Sequence, residues 1–263
     1  MQVRKLEQKK RVGAGPRLGQ LVADINAFPS SREALQKLKQ LQFVPRHAVA
    51  GDLPEVMQCI KGMLQQATSG SVRNIPVYLS TVSKVAKEHP SVLRALQGDS
   101  YKRTVMGMFQ ACAADEAAYK RPVAVSQLCC AQYNLAMYCQ EFWQTVSEKH
   151  IASWNAQAAS NFVYAYGKLS QLKVAPAAPA SLRQLLRATV RVAEGMNAQE
   201  VANSLWAFAK LGLDMGPAHE PLIQATVRVA DSMNAQAVAN SLWAFAKLGL
   251  DLGPAHELSL IHI

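Results

Sequence analysis

The chain has 263 residues, half of them hydrophobic, with a formal charge of +10. No stretch approaches the roughly 18 consecutive apolar residues that a bilayer-spanning helix needs, so membrane insertion is not expected. The charge is uneven: residues 1–149 hold 20 Lys and Arg against 11 Asp and Glu, whereas residues 150–263 hold 8 against 7, which places any field that attracts a polyanion in the first half.

In chain order, residues 1–20 form a basic arm in which Arg4, Lys5, Lys9, Lys10, Arg11 and Arg17 face the single acid Glu7. Such a segment suits organelle targeting or a solvated arm, although its shortage of serine is unlike a transit peptide. Residues 21–140 read as degenerate helical repeats. Helices are predicted over 30–42, 53–68, 101–118 and 122–139, bounded by Pro29, Asp52, Gly98-Asp99-Ser100 and Pro122. The segment Leu79–Val85 faintly echoes Leu205–Leu211. Nothing reads as a strand-rich domain.

Residues 141–257 carry recognisable repeats. Segments 189–220 and 226–257 are near-copies 37 positions apart, and 155–169 aligns without gaps onto 197–211 at an offset of 42. A period of that length is one helical hairpin, so the predicted fold is all-α, an α-solenoid of stacked helical hairpins. The first helix of a unit runs from Pro221 to about Ser232, with Leu222, Thr226, Val229 and Met233 on one face and Gln224, Arg228 and Asp231 on the other; residues 141–154 fit the same pattern. The second helix starts after a capping asparagine (Asn155, Asn197, Asn234), with Glu200 at capping-box distance from Asn197, and stops at Gly212 or Gly249. Its apolar arc (Val201, Ala202, Leu205, Phe208 and Ala209, with Trp206 at the margin) is wide enough to need neighbours on several sides. After Glu257 the repeat breaks into Leu258–Ile263, which reads as a translated sequencing adapter, and the natural protein is expected to continue past Glu257.

Across the three copies a second asparagine recurs at Asn161, Asn203 and Asn240, an aromatic at Tyr164, Trp206 and Trp243, and a lysine at Lys168, Lys210 and Lys247. The asparagine and the lysine are seven residues apart, two helical turns, and share one stripe. Amides read base edges, ammonium groups meet phosphates, aromatics stack on bases, and one base per helical repeat is an established solution for single-stranded RNA. Lys149, Arg191 and Arg228 form a parallel basic column on the first helices. Other readings stay open: the asparagines could bond the next repeat's backbone, Trp206 could be core between repeats, and the lysines could merely be solvated.

No catalytic constellation stands out. His219 and His256 recur without a repeating nucleophile, and Gly13-Ala14-Gly15 lacks the strand and third glycine of a phosphate loop. The five cysteines are odd in number, lie in apolar helical stretches and include the adjacent Cys129 and Cys130, so reduced core thiols are expected. Their spacing does not suggest zinc, and neither a cofactor nor a metal is expected.

The run Asn197-Ala-Gln-Glu-Val-Ala-Asn-Ser-Leu-Trp-Ala-Phe-Ala-Lys-Leu-Gly212 closely resembles the octotricopeptide repeat, whose hallmark is a Leu-Trp-Ala-x-Ala-Lys-Leu-Gly core. The match is specific in the last two repeats, fair at 155–169 and only suggestive before about residue 140. The resemblance implies a nucleus-encoded α-solenoid of the chloroplast or mitochondrion that binds organellar transcripts and controls their stability, processing or translation, alongside other RNA-processing proteins. It also implies a relation to the FAST-kinase-like family; members of both often end in a nuclease-like RAP domain, which is not visible here, so no enzymatic activity is expected of these residues. The rival expectation is a protein-binding scaffold of the α-solenoid type.

Overall fold

The computed structural model describes residues 18–27, 32–149, 151–176 and 182–250, and among them every regular element is helical. The expected all-α class is therefore observed. None of these helices is long and apolar enough to cross a membrane. The basic residues between Arg4 and Arg17, and the segment after Leu250 with its adapter-like end, lie outside the described residues.

The chain divides into two units, Met1–Val105 and Met106–Ile263. The first holds α1 (Leu18–Ala27), α2 (Arg32–Gln40), α3 (Arg46–Gly51), α4 (Leu53–Ser69), α5 (Ile75–Glu88) and α6 (Pro90–Leu96); the division falls within α7 (Asp99–Ala114). In this unit α1 packs on α2 and α4, and α5 packs on α2, α4 and α6. Leu21, Ile25, Leu38, Leu41 and Ile60 are fully buried there. The buried His89 ring bonds the Leu41 carbonyl through Nε2 at 2.7 Å, fastening the start of α6 to the end of the α2 segment.

The second unit holds α8 (Glu116–Tyr119), α9 (Pro122–Asn134), α10 (Gln140–Lys149), α11 (Ala156–Gln171), α12 (Leu182–Val192), α13 (Ala198–Leu211), α14 (His219–Val229) and α15 (Ala235–Leu248). Here α9, α11, α13 and α15 pack side by side in succession, while α12 lies on α11 and α14 on α13. The caps form as the sequence predicts: the Asn155, Asn197 and Asn234 side chains accept from the backbone N–H of Ala158, Glu200 and Ala237 at 2.9, 3.0 and 2.9 Å, and Glu200 closes the capping box on Asn197. Gly212 and Gly249 end their helices in the left-handed region, at φ 62° and 64°, where a Cβ would be strained.

Two predicted helices are shorter than periodicity suggests. The 101–118 segment is cut at Asp115, whose carboxylate accepts from Ala117 N–H at 2.8 Å and starts a separate turn. The 122–139 segment stops at Asn134 because the buried Gln132 amide oxygen accepts from both Cys139 N–H (2.8 Å) and Trp143 Nε1 (2.9 Å), while Ala136 turns the chain at φ 50°. Bonds from a buried amide to partners seven and eleven residues further on do not alter the apolar pattern, and so left no signal in it.

The distance between successive second helices is set by small side chains. A Cβ added at Gly167 would stand 3.2 Å from the Trp206 ring and 3.5 Å from the Ala207 Cα, so α11 meets α13 with no room to spare. We expect Gly167→Leu to lower the unfolding free energy by about 1–3 kcal/mol through overpacking. The same change at the exposed Gly107, where nothing lies within 4 Å, should be near neutral; urea titration compares the two.

All five cysteines are free, and four are buried. Burial pushes the Cys59 thiol up to about 11 and those of Cys112 and Cys139 to about 12. Unfolded thiols release their protons near pH 8.5, whereas the folded chain retains them. The folded state therefore binds more protons above that pH, and stability should fall steadily as pH rises from about 8.5 towards 12, measured as a declining urea midpoint.

Candidate nucleic-acid interface

Each of α11, α13 and α15 carries an amide, an aromatic ring and an ammonium at i, i+3 and i+7: Asn161, Tyr164 and Lys168; Asn203, Trp206 and Lys210; Asn240, Trp243 and Lys247. A helix puts such positions on one stripe. Because these helices pack in succession, the three stripes are neighbours.

The asparagines are half-buried, and among the described residues none of their side chains is engaged in a hydrogen bond. No bond to the next repeat's backbone is seen at any of the three. This separates them from the capping asparagines six residues earlier, each of whose side-chain oxygens accepts a backbone N–H.

Lysine and ring interlock from one helix to the next. The Lys168 ammonium lies 4.3 Å from the Trp206 ring centroid and 5.3 Å from that of Tyr164 on its own helix; Lys210 lies 5.8 Å from Trp243. Tyr164 in turn contacts Trp206 at 5.2 Å and Tyr133 of α9 at 5.9 Å. The column of rings thus begins one helix earlier than the aligned repeats. Tyr133 was missed by sequence reading because α9 lacks the asparagine and lysine that mark the stripe, although an aromatic near the end of an apolar helix was a signal for it. Lys168 is half-buried in this column, while Lys210 and Lys247 are exposed.

The potential of the stripe is positive. Glu200 is the sole acid within α11, α13 and α15, and its carboxylate accepts from the Asn197 N–H at 2.9 Å. Desolvation raises the Tyr133 and Tyr164 phenols above their ordinary values, so both rings remain neutral and their faces available to cations.

The basic column on the first helices has a different setting. Arg191 Nη2 donates to the carbonyls of Trp154 (2.7 Å) and Ile151 (3.4 Å), and Arg228 Nη2 donates to those of Met196 (2.6 Å) and Ala193 (3.3 Å). Each guanidinium thereby satisfies carbonyls at the end of the preceding first helix, where the helix dipole favours a cation. Both arginines bind hairpin to hairpin. Lys149 ends α10, and its side chain lies outside the described residues.

A groove of about 720 Å³ opens beside the starts of α11 and α13, lined by Asn155, Gln157, Arg191, Glu194, Asn197 and Glu200. Two carboxylates outnumber its one arginine, which already serves backbone carbonyls, so it offers an anion little. Among the described residues no cluster of three or more His, Cys, Asp or Glu side chains is placed to hold a metal.

No family model matches the chain, and no curated protein matches it. The stripe therefore stands on its own geometry.

Replacing Arg228 by leucine leaves two carbonyls without their charged donor, and the unfolding free energy should drop by about 1–3 kcal/mol. Arg228→Lys keeps a charged donor, but its ammonium ends a shorter side chain than the one that carries Nη2 to both carbonyls, so it should recover only part of that loss in the same urea titration.

Proposed function

We propose that this protein binds single-stranded RNA along the Asn–aromatic–Lys stripes of α11, α13 and α15. The observation that carries this reading is their threefold recurrence on helices packed in succession, with the amides unpartnered, Lys168 and Lys210 each lying by the ring of the following helix, and Glu200 as the sole acid within the three helices. An unpartnered amide offers a donor and an acceptor to a base edge, an aromatic face accepts a base, and an ammonium one turn further meets a phosphate.

In this reading the successive hairpins form an α-solenoid with a period of 37 to 42 residues, which turns equivalent residues towards a common track. The resemblance to octotricopeptide repeats supports the same RNA class. It extends the proposal to organellar transcripts in a chloroplast or mitochondrion, where binding would govern stability, processing or translation together with other RNA-processing proteins. The module acts by binding, without chemistry of its own.

A protein-binding scaffold is the second reading, and one observation favours it. Val190 and Val227, at matching places on α12 and α14, are 37% and 41% exposed, a repeated apolar feature on a face other than the stripe.

The two readings separate on salt and on the amides. If the three stripe lysines each neutralise one phosphate, the logarithm of the RNA association constant should fall with the logarithm of salt concentration at a slope of about −2. Changing Lys210 and Lys247 together to glutamine should flatten that slope by about 1.4. The double change of Asn203 and Asn240 to alanine should weaken binding by about 5- to 100-fold at fixed salt. Fluorescence anisotropy with labelled oligoribonucleotides reads all three; failure to bind RNA at any salt would leave the scaffold reading.

A further inference from the structure

We infer that the Leu41–Phe43 turn of the first unit is a further contact for single-stranded RNA, with the Phe43 ring as the face on which one base stacks; this rests on the RNA-binding reading above and places a ligand outside the stripe. Phe43 is 77% exposed, the most exposed of the large hydrophobic side chains among the described residues. A single exposed apolar side chain is ordinary on a protein surface. What sets Phe43 apart is how firmly its turn is held. Leu41 is fully buried, and its carbonyl accepts from the Val44 N–H at 3.1 Å and bonds the His89 ring at Nε2 at 2.7 Å. Beyond the ring, Arg46 Nε donates to the Glu88 carbonyl at 2.8 Å. The chain is thus fastened to the junction of α5 and α6 on both sides of Phe43, and the Gln42 side chain ties it back to the Lys39 carbonyl at 2.8 Å. A backbone fixed in this way loses little further freedom when a base settles on the ring.

The charges near the ring suit a polyanion. No Asp or Glu occurs between Glu33 and Asp52, whereas Lys37, Lys39 and Arg46 do. Lys37 is held by Asp24 at 2.9 Å, which leaves Lys39, in the last turn of α2, and Arg46 as the exposed cations before and after Phe43. The hydrogen bond of Arg46 uses Nε, so both Nη groups are left for a phosphate. Lys87, one residue before the carbonyl that Arg46 holds, is exposed as well, and the acid beside it, Glu88, is half-buried. Three exposed cations against one half-buried carboxylate make the surroundings positive. A base of any kind can lie on an aromatic face while cations meet the adjoining phosphates. An apolar protein surface finds no such match, because Lys39, Gln40, Arg46 and His47 around the turn are all exposed and polar. The site also lies in the half of the chain that carries most of its excess positive charge.

The test titrates labelled oligouridylate with the full chain, followed by fluorescence anisotropy, for the original protein and for Phe43→Ala, Phe43→Leu, Phe43→Tyr and Lys39→Gln. Phe43→Ala should bind about 5- to 100-fold more weakly. Phe43→Leu keeps the apolar bulk but not the ring and should bind as weakly, whereas Phe43→Tyr should stay close to the original. Lys39→Gln should flatten the salt slope by about 0.7. Oligouridylate carrying thiouridine, crosslinked by light to the original protein, should mark the peptide that contains Phe43, and this mapping decides should a variant not fold by circular dichroism. RNA binding that every Phe43 variant leaves unchanged overturns this inference and spares the stripe. Loss of binding in Phe43→Ala, with none when Asn203 and Asn240 are changed to alanine, supports this inference and overturns the stripe. Absence of RNA binding by the original protein overturns both. Binding that Phe43→Leu retains and Phe43→Ala loses, or a dimer mass by light scattering that Phe43→Ala abolishes, shows an apolar anchor in place of a stacking face and overturns the inference.

Discussion

Close packing of successive second helices through small residues is the constraint on which the rest of the second unit depends. Gly167 admits the Trp206 ring and the Ala207 backbone at van der Waals distance, and that spacing brings Lys168 over the next helix's indole. A larger residue at Gly167 would push α13 outward and separate the ammonium from the ring. The stripe is therefore a product of helix spacing: its chemistry is written on each helix, but its continuity belongs to the interface between them.

Two sets of polar residues divide the work. Arginines of the first helices and asparagines at the starts of the second satisfy backbone groups that helix ends leave open, and the arginines also hold one hairpin to the next. Asn161, Asn203 and Asn240 further along the second helices make no such backbone bonds among the hydrogen bonds observed, and Lys168 and Lys210 lie against a ring of the following second helix. The same residue type thus caps a helix at Asn197 and is left without a side-chain hydrogen bond at Asn203, six residues later.

The near-identical repeats act as an internal control. Ala202, Leu205 and Ala209 of α13 are 2%, 0% and 1% exposed, with α11 on one side and α15 on the other. Their exact counterparts in α15, Ala239 and Ala246, are exposed, and Leu242 is half-buried. Burial at these positions follows from the neighbours and not from the residue itself.

Helical content, the hairpin period, the asparagine caps and the glycine stops were legible in the sequence, because each arises from interactions within a few residues and leaves a local or periodic trace. The asparagine and lysine stripe was legible too, as a repeated spacing. The tertiary structure alone decided that Arg191 and Arg228 bond carbonyls of the preceding hairpin, that Lys168 rests on Trp206 and that Gln132 ends α9. These contacts depend on how two helix faces are rotated against each other and on which neighbour is present, and residue order along a single helix encodes neither.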